Sequence, residues 1–111
     1  KENCPDIRNS KVVDIINRLK EYSIEPLVSD PWADKNESKK EYGIELTNFN
    51  ELNDIDCLIV AVAHDEFKNI SIEQLNNLFE NNENGKNVII DVKSIFSKNE
   101  IDPKKYCYWR L

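Results

Sequence analysis

The first ten residues of the chain carry the cations best suited to binding an anion. Lys1 and Arg8 precede a predicted helix and Lys11 lies near its start, although the chain as a whole is acidic. Cations that converge with a helix N-terminus suit a phosphate or diphosphate, because positive side chains and open backbone amides both donate to its oxygens. The alternative interpretation is that these are ordinary solvated side chains.

A second group of polar residues follows the predicted strands: Asp30, His64-Asp65-Glu66, Asp91 and Lys93. In open α/β sheets, ligands bind beyond the carboxyl ends of the strands, so these residues are candidates for a site. His64 could act as an acid–base group, but a surface position at the strand end is favoured because the sequence identifies no partner for it. Asp30 occupies the place of a ribose-binding acid, yet the chain has no GxGxxG loop, which favours a structural turn.

Helices that could position these residues are predicted at three places. Apolar residues recur at intervals of three and four between Asn9 and Ile24, which indicates an amphipathic helix. A charged helix is predicted over residues 36–42, with Gly43 in the left-handed position at its C-terminus. The segment Ser71-Ile72-Glu73-Gln74 has the pattern of a capping box and opens a further helix.

The strongest strand signal is the unbroken apolar run from Cys57 to Ala63. It predicts a strand buried on both faces, at the centre of a parallel sheet. Other strands are predicted over residues 26–29, 44–47, 88–90 and 106–109. The alternation of strands and helices predicts an open, mainly parallel, Rossmann-like α/β sheet of three layers. Since the chain opens with a loop and a helix, we expect the first, central strand of such a sheet to be missing.

The composition limits the classes of function. With 111 residues, the chain suits one domain over residues 1–111, and its net charge of −6 disfavours binding to nucleic acid. No apolar run approaches the roughly 20 residues that span a bilayer. Cys4, Cys57 and Cys107 form no CxxC pair, which disfavours a metal site. We interpret Cys57, in an apolar run, and Cys107, between two tyrosines, as buried thiols in a reducing compartment, the cytoplasm.

The opening segment Lys1–Ser10 resembles the FK-x(4)-D-x-R-x-S signature that begins the C-terminal domain of the UDP-glucose/GDP-mannose dehydrogenase family, without its phenylalanine. The resemblance continues through Asp30-Pro31-Trp32, Ala63-His64-Asp65-Glu66-Phe67 and Ile90-Asp91-Val92-Lys93, and so covers essentially the whole chain. The opening, the Asp30-Pro31-Trp32 turn and the Tyr-Trp-Arg-Leu ending look most like the branch that oxidises UDP-N-acetylhexosamines.

The resemblance implies a part of an NAD-dependent nucleotide-sugar 6-dehydrogenase, which oxidises the C6 alcohol of the sugar to a carboxylate. Members of the family have an N-terminal NAD domain, a helical linker that dimerises, and a C-terminal nucleotide-sugar domain to which this chain corresponds. The catalytic cysteine of the family lies in the middle region, and none of the cysteines here matches its motif. The chain alone is therefore expected to be inactive, with no catalytic residue of its own.

The resemblance also implies roles for particular residues. Lys1 matches the lysine that contacts the substrate, and Arg8 matches the arginine that reaches NAD. Lys93 falls where some members carry a substrate-contacting arginine in a DGR pattern, so the charge is kept while the planar fork is lost. The implied ligand is a UDP-sugar, either UDP-N-acetylhexosamine or UDP-glucose. The implied protein partners are the rest of the parent chain and, through the linker, further copies in a homo-oligomer. Binding to nucleic acid or to a membrane is not expected.

The sequence leaves two other classes of function open. A receiver-like regulatory module needs an acidic cluster after its first strand, whereas the opening loop here is basic at Lys1 and Arg8. A purely structural or dimerising domain would bind neither UDP nor UDP-sugars.

Overall fold

The computed structural model describes residues 11–79 and 85–110. The chain divides into two compact units, one up to Leu52 and one from Asn53 onward, and each is described by itself. None of the helices in the described ranges has the length and apolar character needed to cross a membrane.

The first unit contains the first two of the three predicted helices. Helix α1 spans Lys11–Glu21 and helix α2 spans Lys35–Tyr42. The amphipathic pattern of α1 is confirmed, because Ile16 is buried whereas the intervening polar residues are exposed. Gly43 ends α2 at φ 67°, and its amide donates to the carbonyls of the last turn, as predicted.

In place of the strands predicted over residues 26–29 and 44–47, the first unit has a single bridge between the two segments. Val28 and Leu46 form an isolated parallel bridge, and the amide of Thr47 donates to the carbonyl of Val28 at 2.7 Å. Just after this bridge, Asp30 Oδ1 accepts the amides of Trp32 (2.8 Å) and Ala33 (3.2 Å). Such an Asx turn fixes the direction of the chain, which is the structural role expected for Asp30.

The second unit is built on a three-stranded parallel sheet in the order β1-β2-β3. The strands are β1 (Cys57–Val60), β2 (Asn87–Asp91) and β3 (Tyr106–Arg110). Two short helices, α3 (Asp65–Lys68) and α4 (Ile72–Leu78), connect β1 to β2. The predicted α/β class with an open, parallel sheet is confirmed.

Helix α4 contacts the sheet at Tyr106 of β3, whose hydroxyl donates to Oδ1 of Asn76 at 2.5 Å. The capping box predicted from the sequence is present, since Ser71 and Gln74 each accept the other's backbone amide. At the other end of α4, Phe79 packs against Tyr106 of β3 with ring centroids 5.1 Å apart. The centre of this core is fully buried at Leu75 of α4 and Ile89 of β2.

The opposite face of the sheet is more exposed than the sequence predicts. Cys57 and Cys107 are aligned across β2 on this face, both paired with Val88, and both are exposed. The prediction of buried thiols is therefore wrong for these two residues. In addition, within the described sheet β1 lies at an edge and β2 occupies the centre, so the predicted central position of the run from Cys57 is also wrong.

Candidate functional site

The parallel register brings the carboxyl ends of the strands to one edge of the sheet. Val60 of β1 pairs with Asp91 of β2, which in turn pairs with Arg110 of β3. The segments 61–64 and 92–96 leave the sheet at this edge, which we call the carboxyl rim. Since ligands of parallel sheets bind beyond this edge, the rim is the candidate site in the second unit.

Lys93 lies in a tight turn that begins directly after β2. The amide of Val92 donates to the carbonyl of Val60 at 3.0 Å, which attaches the start of the turn to β1. The amide of Ser94 donates back to the carbonyl of Asp91 at 3.3 Å, and Ser94 has a φ of 55°. Because the backbone reverses here, Lys93 is exposed at the carboxyl rim, where an anionic ligand could reach it.

The carboxylate of Asp91 anchors the far end of the same turn. Asp91 is fully buried, and its two oxygens accept the amides of Ile95 and Phe96, each at 3.0 Å. The hydroxyl of Tyr108 donates to Oδ2 of Asp91 at 2.7 Å and also lies 3.2 Å from the carbonyl oxygen of Phe96. These donors offset the desolvation of the charge, which otherwise makes burial of a carboxylate unfavourable.

The environment of Tyr108 favours its neutral form. Burial raises the pKa of Tyr108 well above its usual range, and the hydrogen bond and negative charge of Asp91 raise it further, while Arg110 opposes the shift. Tyr108 therefore remains a hydrogen-bond donor to Asp91 at physiological pH. No pattern in the sequence indicates this pair, because the residues lie on different strands, 17 positions apart.

His64 has a different position from the one predicted. Its side chain is 1% exposed rather than at the surface, and its ring lies 5.5 Å from that of Phe67. Its carbonyl accepts the amides of Phe67 and Lys68, so the residue begins α3. The prediction of a surface histidine is wrong because the segment 61–64 leads from β1 into α3, and His64, the N-cap residue of that helix, is buried.

Two of the three predicted binding residues, Lys1 and Arg8, lie outside the described residues, and Lys93 is the one that the structure places. Lys11, the third cation of the opening cluster, is the first residue of α1 and is exposed. Among residues 11–79 and 85–110, no group of three or more His, Cys, Asp or Glu side chains is arranged to hold a metal ion.

The parallel strands and the lysine-bearing turn define an α/β domain of the type that binds a small ligand at its carboxyl rim. A sequence profile for the UDP-glucose/GDP-mannose dehydrogenase family, UDP binding domain, matches residues 1–98. The chain belongs to this family, as the motifs beginning at Lys1 predicted.

Individual relatives agree with this assignment. The chain is 40% identical over 102 residues to the UDP-N-acetyl-D-glucosamine 6-dehydrogenase of Pseudomonas aeruginosa, covering 92% of this chain and 23% of the relative. It is 37% identical over 111 residues to Protein CapL of Staphylococcus aureus, covering 100% of this chain and 25% of CapL. The chain thus spans about a quarter of the length of these relatives.

A solved structure supports the fold. The UDP-N-acetyl-mannosamine dehydrogenase Cap5O from S. aureus, in a derivative structure, superposes with a TM-score of 0.68 at 23% sequence identity. The match covers 99% of this chain and 23% of the Cap5O chain.

Proposed function

We propose that this chain is the UDP-binding domain of an NAD-dependent UDP-sugar 6-dehydrogenase. The enzyme oxidises UDP-N-acetylhexosamine or UDP-glucose to the uronic acid for surface polysaccharide synthesis in the cytoplasm. The observation that carries the proposal is the match of residues 1–98 to the UDP binding domain of the family. The names of the relatives favour the N-acetylhexosamine over glucose. No specific feature of the described residues favours a receiver-like module.

In this proposal the chain holds the UDP portion of the substrate and the rest of the polypeptide performs the oxidation. Lys93 and Lys1 donate to oxygens of the nucleotide-sugar, because an ammonium binds phosphate as a point charge without needing a fixed fork. The exposed position of Lys93 at the carboxyl rim supports its role. The chain is inactive alone, since it contributes no catalytic cysteine.

NAD is assigned mainly to the remainder of the enzyme. The chain contains only two glycines, Gly43 and Gly85, and no GxGxxG loop, so it does not fit the main site of a dinucleotide. Arg8 is its proposed contact with NAD, where a guanidinium would bind oxygens through paired hydrogen bonds. The proposed partners are the parent polypeptide and a second copy of the enzyme, joined through the linker.

Calorimetric titration of the chain with UDP tests the proposal. The unsubstituted chain should bind UDP, and Lys93→Gln should weaken binding about tenfold, because a charged hydrogen bond to phosphate is lost. Lys86→Gln is the matched control, since Lys86 is an exposed lysine just before the amino end of the same strand β2. Equal weakening by both substitutions would show that Lys93 acts only through net charge, and absence of UDP binding would contradict the proposal.

A further inference from the structure

The turn over residues 92–96, which carries Lys93, is held at both of its ends. At its start, the amide of Val92 is bound to the end of β1. At its far end, the amides of Ile95 and Phe96 are bound to the carboxylate of Asp91, the residue that closes β2. A turn fixed in this way presents its exposed residue in one backbone conformation.

We propose that Asp91 and Tyr108 are positioning residues that fix Lys93 for binding the diphosphate of the nucleotide-sugar, an inference that rests on the proposed function. Asp91 holds the backbone of the turn, and Tyr108 holds the carboxylate of Asp91 from the neighbouring strand β3. Neither side chain contacts the ligand in this proposal. Both act through the backbone of the turn.

The burial of Asp91 supports a role in fixing the turn. Asp91 is 0% exposed and Phe96, at the end of the turn, is 5% exposed, so the anchor lies in the core while Lys93 lies at the surface. The Tyr108 hydroxyl is within hydrogen-bond distance of both Asp91 Oδ2 and the Phe96 carbonyl. These contacts connect the carboxylate and the end of the turn to strand β3. A hydrogen bond to a buried carboxylate is stronger than one in water, because the local dielectric constant is lower.

The physical benefit is a smaller loss of entropy on binding. A lysine side chain is flexible, and binding must immobilise it together with the segment that carries it. If the backbone of the turn is already fixed, only the side chain has to be ordered. Loosening the turn should therefore weaken UDP binding only when Lys93 is present. A general contribution of the pair to folding would weaken binding whether or not Lys93 is present.

A double-mutant cycle on UDP binding measures this dependence. The proteins are the unsubstituted chain, Lys93→Gln, Tyr108→Phe and the double variant, each titrated with UDP by calorimetry. We expect Lys93→Gln to weaken binding about tenfold and Tyr108→Phe about threefold. In the double variant, Tyr108→Phe should cause no further loss, because the lysine through which it acts is gone. Asp91→Asn, which keeps the shape of the side chain, should show the same dependence on Lys93.

Hydrogen exchange of the backbone provides a readout that does not involve UDP. In Tyr108→Phe, the amides of Ile95 and Phe96 should exchange faster, while that of Leu75, buried in α4, should not change. Uniformly faster exchange would indicate a general loss of stability and would overturn the inference.

The outcomes of the titration separate the inference from the proposed function. Suppose that the unsubstituted chain binds UDP and that the fold losses in affinity from Tyr108→Phe and Lys93→Gln multiply in the double variant. This result would overturn the inference but leave the proposed function standing. An unaltered affinity in Tyr108→Phe would do the same. Absence of UDP binding by the unsubstituted chain would overturn the proposed function and the inference together.

Discussion

At the scale of single residues, Asp91 shows how a buried charge is accommodated. An unpaired carboxylate in the interior is destabilising by several kcal/mol. Here the carboxylate accepts hydrogen bonds from Ile95 and Phe96 and from the hydroxyl of Tyr108. Among the described residues, the donors that offset this charge are neutral, and the same hydrogen bonds shape the turn that carries Lys93.

The raised pKa of Tyr108 predicts how the stability depends on pH. Its pKa is higher in the folded chain, so the folded state retains the proton longer than the unfolded state. The resulting stabilisation is complete below about pH 10, the usual tyrosine pKa, and is lost as pH rises toward the folded pKa. Urea unfolding across the alkaline range should show a less steep decline for Tyr108→Phe than for the unsubstituted chain.

Trp109→Phe is the control for this measurement. Trp109 is the neighbour of Tyr108 on β3, is 63% exposed and does not titrate, so its substitution should leave the pH dependence unchanged. Tyr106, whose pKa is raised by burial and then by Asp102, remains in every variant and contributes equally to each curve. If the free energy of unfolding falls equally steeply with pH for Tyr108→Phe and the unsubstituted chain, the pKa of Tyr108 is not raised by folding.

Residues on the rim differed in how well the sequence predicted them. The positions of Asp91 and Lys93 after a strand could be predicted, because a branched apolar run ended there. The burial of His64 could not, since it depends on the path of the segment 61–64 and on the short helix α3 that follows it. Nor could the contact between Asp91 and Tyr108, since strand order brings these residues together.

At the scale of elements, local signals predicted α1, α2 and α4, whereas the short helix α3 was not predicted. The capping box at Ser71 and the left-handed Gly43 both depend on a few adjacent residues, so the sequence contains all that is needed to recognise them. Strand lengths were less predictable. The apolar run from Cys57 continues to Ala63, but β1 ends at Val60, because ladder pairing depends on the neighbouring strand.

The capping box of α4 predicts a measurable loss on substitution. The hydroxyl of Ser71 accepts the amide of Gln74 at 3.1 Å, which satisfies one of the open donors at the start of the helix. Ser71→Ala should lower the free energy of unfolding by about 1 kcal/mol in urea titrations.

Ser97 is the matched control for Ser71. It occupies the same position before a short 3-10 helix, Lys98–Glu100, but its side chain makes no capping hydrogen bond. Ser97→Ala should therefore change the free energy of unfolding by less than about 0.5 kcal/mol. Similar losses at both serines would mean that the cap hydrogen bond is not the source of the effect.

At the scale of the whole molecule, the net charge of the chain opposes the proposed binding of UDP. The chain carries a net charge of −6, which repels a nucleoside diphosphate at long range. Salt at about 0.1 M reduces this repulsion beyond about 10 Å, whereas a direct contact with an exposed lysine operates at a few ångströms. The proposed binding of UDP would therefore depend on local cations such as Lys93 and could not be inferred from the overall charge.

If UDP binds only the folded chain, it must stabilise the whole molecule by mass action. At a concentration of UDP about 100 times its dissociation constant, the free energy of unfolding should rise by about 2.7 kcal/mol. Urea unfolding with and without UDP measures the increase, which should agree with the affinity from calorimetry. UMP at the same concentration should raise the free energy of unfolding less than UDP does, because it lacks the second phosphate. In Lys93→Gln, the increases caused by UDP and by UMP should differ less. Equal stabilisation by UMP and UDP would contradict a site built for the diphosphate.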